Sequence, residues 1–405
     1  MYRRKIQAVV VLFAAATLVS ACGSKSTDNS SGSGSSTASN LAFKPVAQVD
    51  ANGKEVPAGA ASTPVDPAGD GQAKCSGIKL AFAGPKTGGY AALGINAVNG
   101  AKVAIMAHNK ANPGCQVSLA EFDTEADPQK ATQVIPQMIS DASIIGMVGP
   151  LFSGETKATG AIVAQAGLVS IVIGATNPAL AKNGWKTFFR SIANDNVQGP
   201  GGANYMMNTL KYKKVCVVGD DTDGGVGLAK AVNGALGSVA DSNCASRVKT
   251  GDKDFSSTVS QIKGESPDAI YYAGFYSEAA PFVAQLRSAG VTAPFVSDDG
   301  IKDPVFVKLA GSASKGVVAS CPCGPVLASF ATEYKALNNV DAGAWSAEGY
   351  DITTIYLKGI DAGNITRPAL LKYVTNYDGD GLARHYKWDS TGELAKAVIW
   401  MYKVQ

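Results

Sequence analysis

Ile144-Ile145-Gly146-Met147-Val148-Gly149-Pro150-Leu151-Phe152-Ser153-Gly154-Glu155-Thr156 is an apolar run that stops at a glycine-proline turn and reopens in a helical pattern. A strand without polar alternation suits a parallel sheet, whose two faces are both covered. The turn that follows is the joint of a βαβ unit. The same joint recurs outward in both directions. Upstream, 78–83 predicts a strand, 99–108 a helix, 117–122 a strand and 128–140 a helix, with Asp127 as its cap and Pro128 in its first turn. Downstream, 157–166 predicts a helix and 169–173 a strand. The pattern restarts at Val215, with strands at 215–218, 247–249, 269–272 and 294–296 and helices at 227–236, 255–263 and 278–289. Two such runs predict an α/β fold of two doubly wound parallel-sheet lobes joined by a multi-strand hinge. The extended segments 188–193 and 317–320 are read as the crossovers. The first lobe is then 76–192 plus 323–383, and the second 193–322 plus 384–405. A ligand in such sheets lies beyond the carboxyl ends of the strands, in the gap between lobes.

The 405 residues are too many for one ordinary domain, and 46% of them are apolar, enough for two cores. At the start, Arg3-Arg4-Lys5 precedes a short apolar run from Ile6 to Val19, too short to span a bilayer comfortably. It reads as a signal peptide over 1–21, ending Leu18-Val19-Ser20-Ala21-Cys22-Gly23. Small residues before a cysteine look like a bacterial lipobox, with Cys22 acylated as the mature N-terminus. Residues 22–74, rich in Ser, Gly, Ala, Asp and Pro, are expected to be the acylated cysteine and a flexible stalk. Cleavage removes three of 36 basic residues and leaves 33 against 33 acidic ones. A neutral chain without a basic block argues against nucleic acid. The expected setting is the extracytoplasmic face of the cell membrane, lipid-anchored and monomeric.

Six cysteines remain, and six allow fifteen connectivities. Cys75–Cys115, Cys216–Cys244 and Cys321–Cys323 each bracket one local unit and are favoured as disulfides. A metal reading of Cys321-Pro322-Cys323 is poorer, because His108 and His385 do not sit at ligand spacing.

Two strand-to-helix turns carry the chemistry: Gly149 to Thr156, and Ile173-Gly174-Ala175-Thr176-Asn177-Pro178. Free N–H groups and the helix dipole attract an anion at such turns, and Ser153 and Thr176 add hydroxyl donors suited to a carboxylate. The plain alternative is that Ser153, Thr156 and Asn177 only cap helices. The first turn imitates a P-loop, but Glu155 stands where the phosphate-binding lysine belongs, the wrong charge for a nucleotide. The glycine runs do not make a dinucleotide fingerprint, the aspartates 220–223 miss calcium-loop register, and no G-x-S-x-G surrounds Ser153. No cofactor, metal or catalytic activity is expected. Asp298-Asp299-Gly300 follows a second-lobe strand and offers a carboxylate to a ligand ammonium; a solvated turn would account for it as well.

These residues resemble the branched-chain amino-acid-type substrate-binding proteins of ABC importers, which have the type I periplasmic-binding-protein fold. The resemblance runs from about Ile78 to the C-terminus. It rests on Gly149-Pro150-Leu151-Phe152-Ser153, Ala175-Thr176-Asn177-Pro178-Ala179-Leu180, Gly251-Asp252-Lys253-Asp254-Phe255 and Ala269-Ile270-Tyr271-Tyr272-Ala273-Gly274-Phe275. It implies that Ser153 and Thr176, with the backbone at Gly174 and Ala175, hold a ligand carboxylate and part of its ammonium. It implies that Asp299, where leucine binders carry a glutamate, completes the ammonium site. Gly224 and Phe275 stand where the family places tyrosines, and Tyr90 or Leu93 borders the ligand side chain. The implied function is capture of a small amino acid or similar zwitterion for a membrane permease. A binding module or sensor for an amide, urea or organic acid stays open, and a Ser153-centred hydrolase has least support.

Overall fold

The computed structural model describes residues 41–57 and 63–405. The leader and Cys22 lie outside the described residues. The first described element is a strand, β1 (Phe43–Val49). The first lobe follows as β2 (Lys79–Gly84), α1 (Ala91–Ala111), β3 (Ser118–Asp123), α2 (Pro128–Ser140), β4 (Ile144–Val148), α3 (Ser153–Gln165), β5 (Val169–Val172) and β6 (Phe188–Arg190). Its sheet is parallel in the order β3-β2-β4-β5-β6. Every residue of β4 and β5 is buried, as unalternated sequence requires. Asp127 accepts a hydrogen bond from Gln129 N, capping α2 ahead of Pro128.

The second lobe is built from α4 (Asp195–Asn208), β7 (Val215–Gly219), α5 (Asp223–Leu236), β8 (Ser246–Arg247), α6 (Ser256–Glu265), β9 (Ala269–Ala273), α7 (Tyr276–Ser288), β10 (Phe295–Ser297), α8 (Pro304–Ala310) and β11 (Val318–Cys321). The chain then returns to the first lobe with α9 (Ala328–Asn338), α10 (Ser346–Asp361), α11 (Arg367–Thr375) and a hairpin, β12 (Asp378–Asp380) and β13 (His385–Lys387). A last strand, β14 (Ile399–Val404), closes the second sheet, in the order β1-β14-β11-β10-β9-β7-β8. β14 runs antiparallel to both β1 and β11. The described chain holds the disulfides Cys75–Cys115, Cys216–Cys244 and Cys321–Cys323, with Cα atoms 4.4, 5.3 and 4.9 Å apart. These are the pairs that locality favoured.

Three expectations change. The stalk does not extend to residue 74: β1 pairs with β14, and Ala47 and Val49 are buried in the second-lobe core. Farther on, Val65 N donates to Asp380 O and Ala73 N to Asn112 Oδ1. A seven-residue strand disappears in an averaged Ser/Gly/Pro-rich composition. Of the segments read as crossovers, 188–190 and 318–320 belong to sheet strands, β6 and β11; the chain crosses over 191–194, at the end of the first segment, and over 322–327, past the second. The lobe boundary at 383/384 also moves. Tyr386 OH donates to Asp351 Oδ2 at 3.0 Å and Trp388 Nε1 to Arg190 O at 2.7 Å, so β13 stays with the first lobe and only β14 returns to the second. Several helices begin a turn or more earlier than the pattern indicated, α3 at Ser153 and α5 at Asp223, because their first turns are glycine-rich and carry no apolar period.

α1 and α10 approach closely because glycines face backbone at their contact. A Cβ on Gly100 would lie 1.9 Å from Ser346 O, and one on Gly349 2.1 Å from Ala97 O. Gly234, on α5, would meet nothing within 4 Å. Alanine is the better helix former by about 0.5–1 kcal/mol, and overpacking a tight contact costs about 1–3 kcal/mol. Gly234→Ala is therefore expected to raise the urea-unfolding free energy and Gly100→Ala to lower it. A gain in both would contradict this packing.

Candidate ligand-binding site

The carboxyl ends of the two sheets face each other. After β4, cis-Pro150 leads to Phe152, the N-cap of α3, and Ser153 stands in its first turn. Ser153 Oγ accepts from Asn177 N at 3.2 Å, tying the turns after β4 and β5 together and leaving the hydroxyl proton free to donate. Glu155 does not face the cleft as a phosphate partner. It folds back to accept from Phe152 N at 2.8 Å, and burial pushes its carboxyl up to about 7. After β5, the Gly174 carbonyl accepts from Thr176 N at 3.1 Å. Asn177 caps the next short helix by accepting from Ala179 N.

From the second lobe, Asp299 follows β10. Its Oδ1 accepts from Gln198 Nε2 at 2.7 Å, and the indole N–H of Trp345 is near enough to favour its charged form without completing a hydrogen bond. Burial nevertheless raises its carboxyl to about 6. Asp298 spends both oxygens on backbone, Gly300 N at 2.8 Å and Gly274 N at 2.9 Å, and burial beside Asp299 holds it well above the usual carboxylate range. Gly174, Thr176, Gly224, Leu228, Phe275, Asp299 and Trp345 are among the residues that border a cavity of about 30 Å³ between the lobes. That is far below the roughly 300 Å³ at which ligand cavities begin, so the lobes are shut too closely to admit a ligand without opening.

The structure therefore brings five of the sequence-expected residues, Gly174, Thr176, Gly224, Phe275 and Asp299, around one cavity. Ser153 stands beside it: a Cβ on Gly224 would lie 3.9 Å from Ser153 Oγ. Ala175 turns its side chain away, into a core with Val172, Leu180 and Phe188. Leu93 is fully buried in the main core and does not border the cavity. Tyr90 spans the gap, its hydroxyl donating to Glu278 Oε2 at 3.3 Å and its ring 4.5 Å from that of Phe275.

Two residues with no sequence signal join the site. Trp345 adopts the left-handed conformation at φ 69°, rare for a bulky residue, just ahead of α10. It fits because Gly174 has no side chain: a Cβ there would lie 2.3 Å from the indole ring. Gln198, on α4, reaches Asp299 from a hundred residues away in sequence, and its Oε1 has no partner among the described residues. Nearby, Asp195 is fully buried with both carboxylate oxygens unpartnered, and burial carries its pKa up to about 7 despite the pull of Thr176 and Arg190.

The lobes meet across the cleft. Lys157 Nζ lies 2.8 Å from Asp223 Oδ1, Asn177 Nδ2 donates to Asp223 O, and Asn96 Nδ2 donates to Asp303 Oδ2 at 2.7 Å. The cleft is shut around its carboxylates.

Residues 77–405 match the sequence family described as Periplasmic binding protein. Two proteins of Pseudomonas aeruginosa are similar. One, described as an amino acid binding protein, is 31% identical over 281 residues, 68% of this chain and 74% of that protein. The other, a leucine-, isoleucine-, valine-, threonine-, and alanine-binding protein, is 30% identical over 294 residues, 70% of this chain and 78% of that one. Among solved structures, the branched-chain amino acid transporter substrate binding protein of Streptococcus pneumoniae, in complex with isoleucine, superposes with a TM-score of 0.74 at 25% identity, over 81% of this chain and 99% of that one.

A buried carboxyl with a raised pKa holds its proton in the folded chain over a range where the unfolded chain has lost it. Between about pH 4 and 7 Asp195 thus makes the folded chain the better proton binder, and its contribution to stability falls as pH rises. Asp195→Asn is expected to gain about 1–3 kcal/mol over the natural chain at pH 8 and little at pH 4.5, read from urea melts at both pH values. An equal effect at the two pH values would contradict a buried titrating carboxyl.

Proposed function

The chain belongs to the periplasmic binding proteins of the branched-chain amino-acid type, and from that membership we propose that it captures a small amino acid or a similar zwitterion outside the cytoplasm for an ABC importer. The observation that carries this reading is the opposed chemistry of one cleft: hydroxyls of Ser153 and Thr176 on the first-lobe wall, the Asp299 carboxylate on the second. The relatives named above bind amino acids, and their names support the same class of ligand.

In this reading the ligand carboxylate docks on Ser153 and Thr176 while the lobes are apart. Closure then brings Asp299 to the ligand's positive end. Sealing Asp299 between lobes is unfavourable for the charge alone, and a cation restores what burial takes away. A ligand that binds the closed form better shifts the population toward it. The motion is a hinge at the crossovers after β6 and β11 and ahead of β14. The closed body then docks as a monomer on the membrane permease. Cys22, acylated, is the proposed tether holding the protein at the membrane, and two acyl chains suffice for stable anchoring.

A thermal-shift screen of amino acids, amides and carboxylic acids tests the ligand class. A true ligand at about 100 times its Kd adds about 2.7 kcal/mol to stability. Asp299→Ala is expected to weaken the amino-acid hit by about 2–5 kcal/mol, measured calorimetrically. Unchanged affinity in Asp299→Ala, or a hit confined to acids lacking a cationic group, would overturn the reading.

A further inference from the structure

The fold gives Asp195 no partner that accounts for it. It opens α4 just after the first crossover, fully buried, and neither of its carboxylate oxygens has a hydrogen-bond partner among the described residues. The capping role there is already taken by Asn194, whose side chain accepts from Asn196 N at 3.0 Å. Arg190, the cation that acts on Asp195, spends its hydrogen bonds on Glu393, at 3.0 to 3.3 Å, and none joins it to Asp195. A buried acid left without a partner is unfavourable to stability, and such groups gather at functional sites. Its position fits that reading. Asp195 N donates to Thr176 O at 3.0 Å, and the Thr176 hydroxyl is near enough to favour the charged carboxyl without completing a hydrogen bond. On the opposite side a Cβ on Gly227 of α5 would lie 2.9 Å from Asp195 Oδ2, and Asp299 is near enough to oppose its ionisation. Thr176, Asp299 and Leu228, the residue after Gly227, all border the inter-lobe cavity.

Acceptors are therefore in excess around the Thr176 turn. Asp299 Oδ2 is free of the Gln198 bond, Gln198 Oε1 is unpartnered beside it, and the Gly174 carbonyl keeps a second lone pair after accepting from Thr176 N. Both oxygens of Asp195 add to these. A primary ammonium carries three N–H donors, each of which needs an acceptor once water is excluded. Two carboxylates and a carbonyl, from three separate elements, match that count, and the ligand's charge supplies the partner that Arg190 does not. We propose that Asp195 is a ligand-binding residue, the second carboxylate of a two-acid site shared with Asp299, and that the ligand carries a free primary ammonium rather than an N-substituted one. Asp195 and Asp299 both belong to the second lobe and Thr176 to the first, so opening the cleft draws Thr176 away and exposes the pair to the ligand. The inference rests on the zwitterion reading above and narrows its ligand class.

The test is calorimetric titration of the folded protein with the common L-amino acids and with the N-methyl form of whichever binds tightest. Asp195→Asn keeps the shape of the side chain and removes its charge. It is expected to bind that amino acid about tenfold more weakly or worse, while its urea-unfolding free energy is no lower than that of the natural chain. A residue that only supports the fold cannot give that pair of results. N-methylation is expected to weaken binding to the natural chain by about tenfold, and to matter less in Asp195→Asn, where one acceptor is already impaired. Should Asp195→Asn fail to fold, the comparison of the two ligand forms on the natural chain decides, and equal or tighter binding of the N-methyl form would overturn the inference. Unchanged affinity in Asp195→Asn, or a loss of affinity matched by a loss of stability, would overturn it too and leave the zwitterion reading intact. Binding of a neutral amide or a simple carboxylic acid, with no response to any amino acid, would overturn both.

Discussion

A carboxylate closed off from water sets the terms for the rest of this molecule. Asp299 sits at the junction of two lobes, its pKa lifted to about 6 by burial, with Gln198 as its one completed side-chain hydrogen bond. Asp298 is beside it, already committed to backbone, and the unpartnered Asp195 lies close enough to be felt. Each of these groups is costly to bury as an anion. A closed cleft lined by these carboxyls either keeps protons on them or takes in something positive that restores their ionised form. Binding and closure are therefore one equilibrium: the cation stabilises the shut form, and the shut form strengthens its attraction by excluding water.

The fold supplies rigid walls for that equilibrium. Most of the candidate contacts emerge just past the ends of parallel strands in the two sheets, so buried strands aim them. Two do not: Gln198 lies within α4, and Trp345 precedes α10. The placement of Trp345 depends on the close approach of α1 and α10 at Gly100 and Gly349, and on the bare backbone of Gly174 behind its ring. A change far from the cavity at either helix contact would thus reach the ligand through one indole. The Cys321–Cys323 disulfide lies where the chain leaves β11 for the first lobe, and Tyr402 OH donates to Cys323 O there, which ties a crossover to β14.

Much of this was legible in the sequence, and for physical reasons. Strands covered on both faces, such as Ile144–Val148 and Ala269–Ala273, announce themselves as unbroken apolar runs, and the glycine turns after them mark where chemistry sits. Ser153, Thr176 and Asp299 were singled out by that logic, and the structure puts Thr176 and Asp299 at the inter-lobe cavity with Ser153 beside it. What escaped lacked a local signal. β1 is a short strand in a polar segment and is ordered only by pairing with β14 at the far end of the chain. Gln198 and Trp345 lie far from Asp299 in sequence and carry no motif. Leu93, expected from the resemblance to border the ligand, and Ala175 instead pack their side chains into cores, because a residue beside a cleft turn often faces the other way.

The central claim is that the cleft is polarised, with donors on the first-lobe wall and negative charge on the second. A crystal structure of the protein with a bound zwitterion tests it most directly. The account predicts the ligand carboxylate against Ser153 and Thr176 and its nitrogen facing Asp299. A ligand bound in the reverse orientation, or outside the inter-lobe cavity, would contradict it.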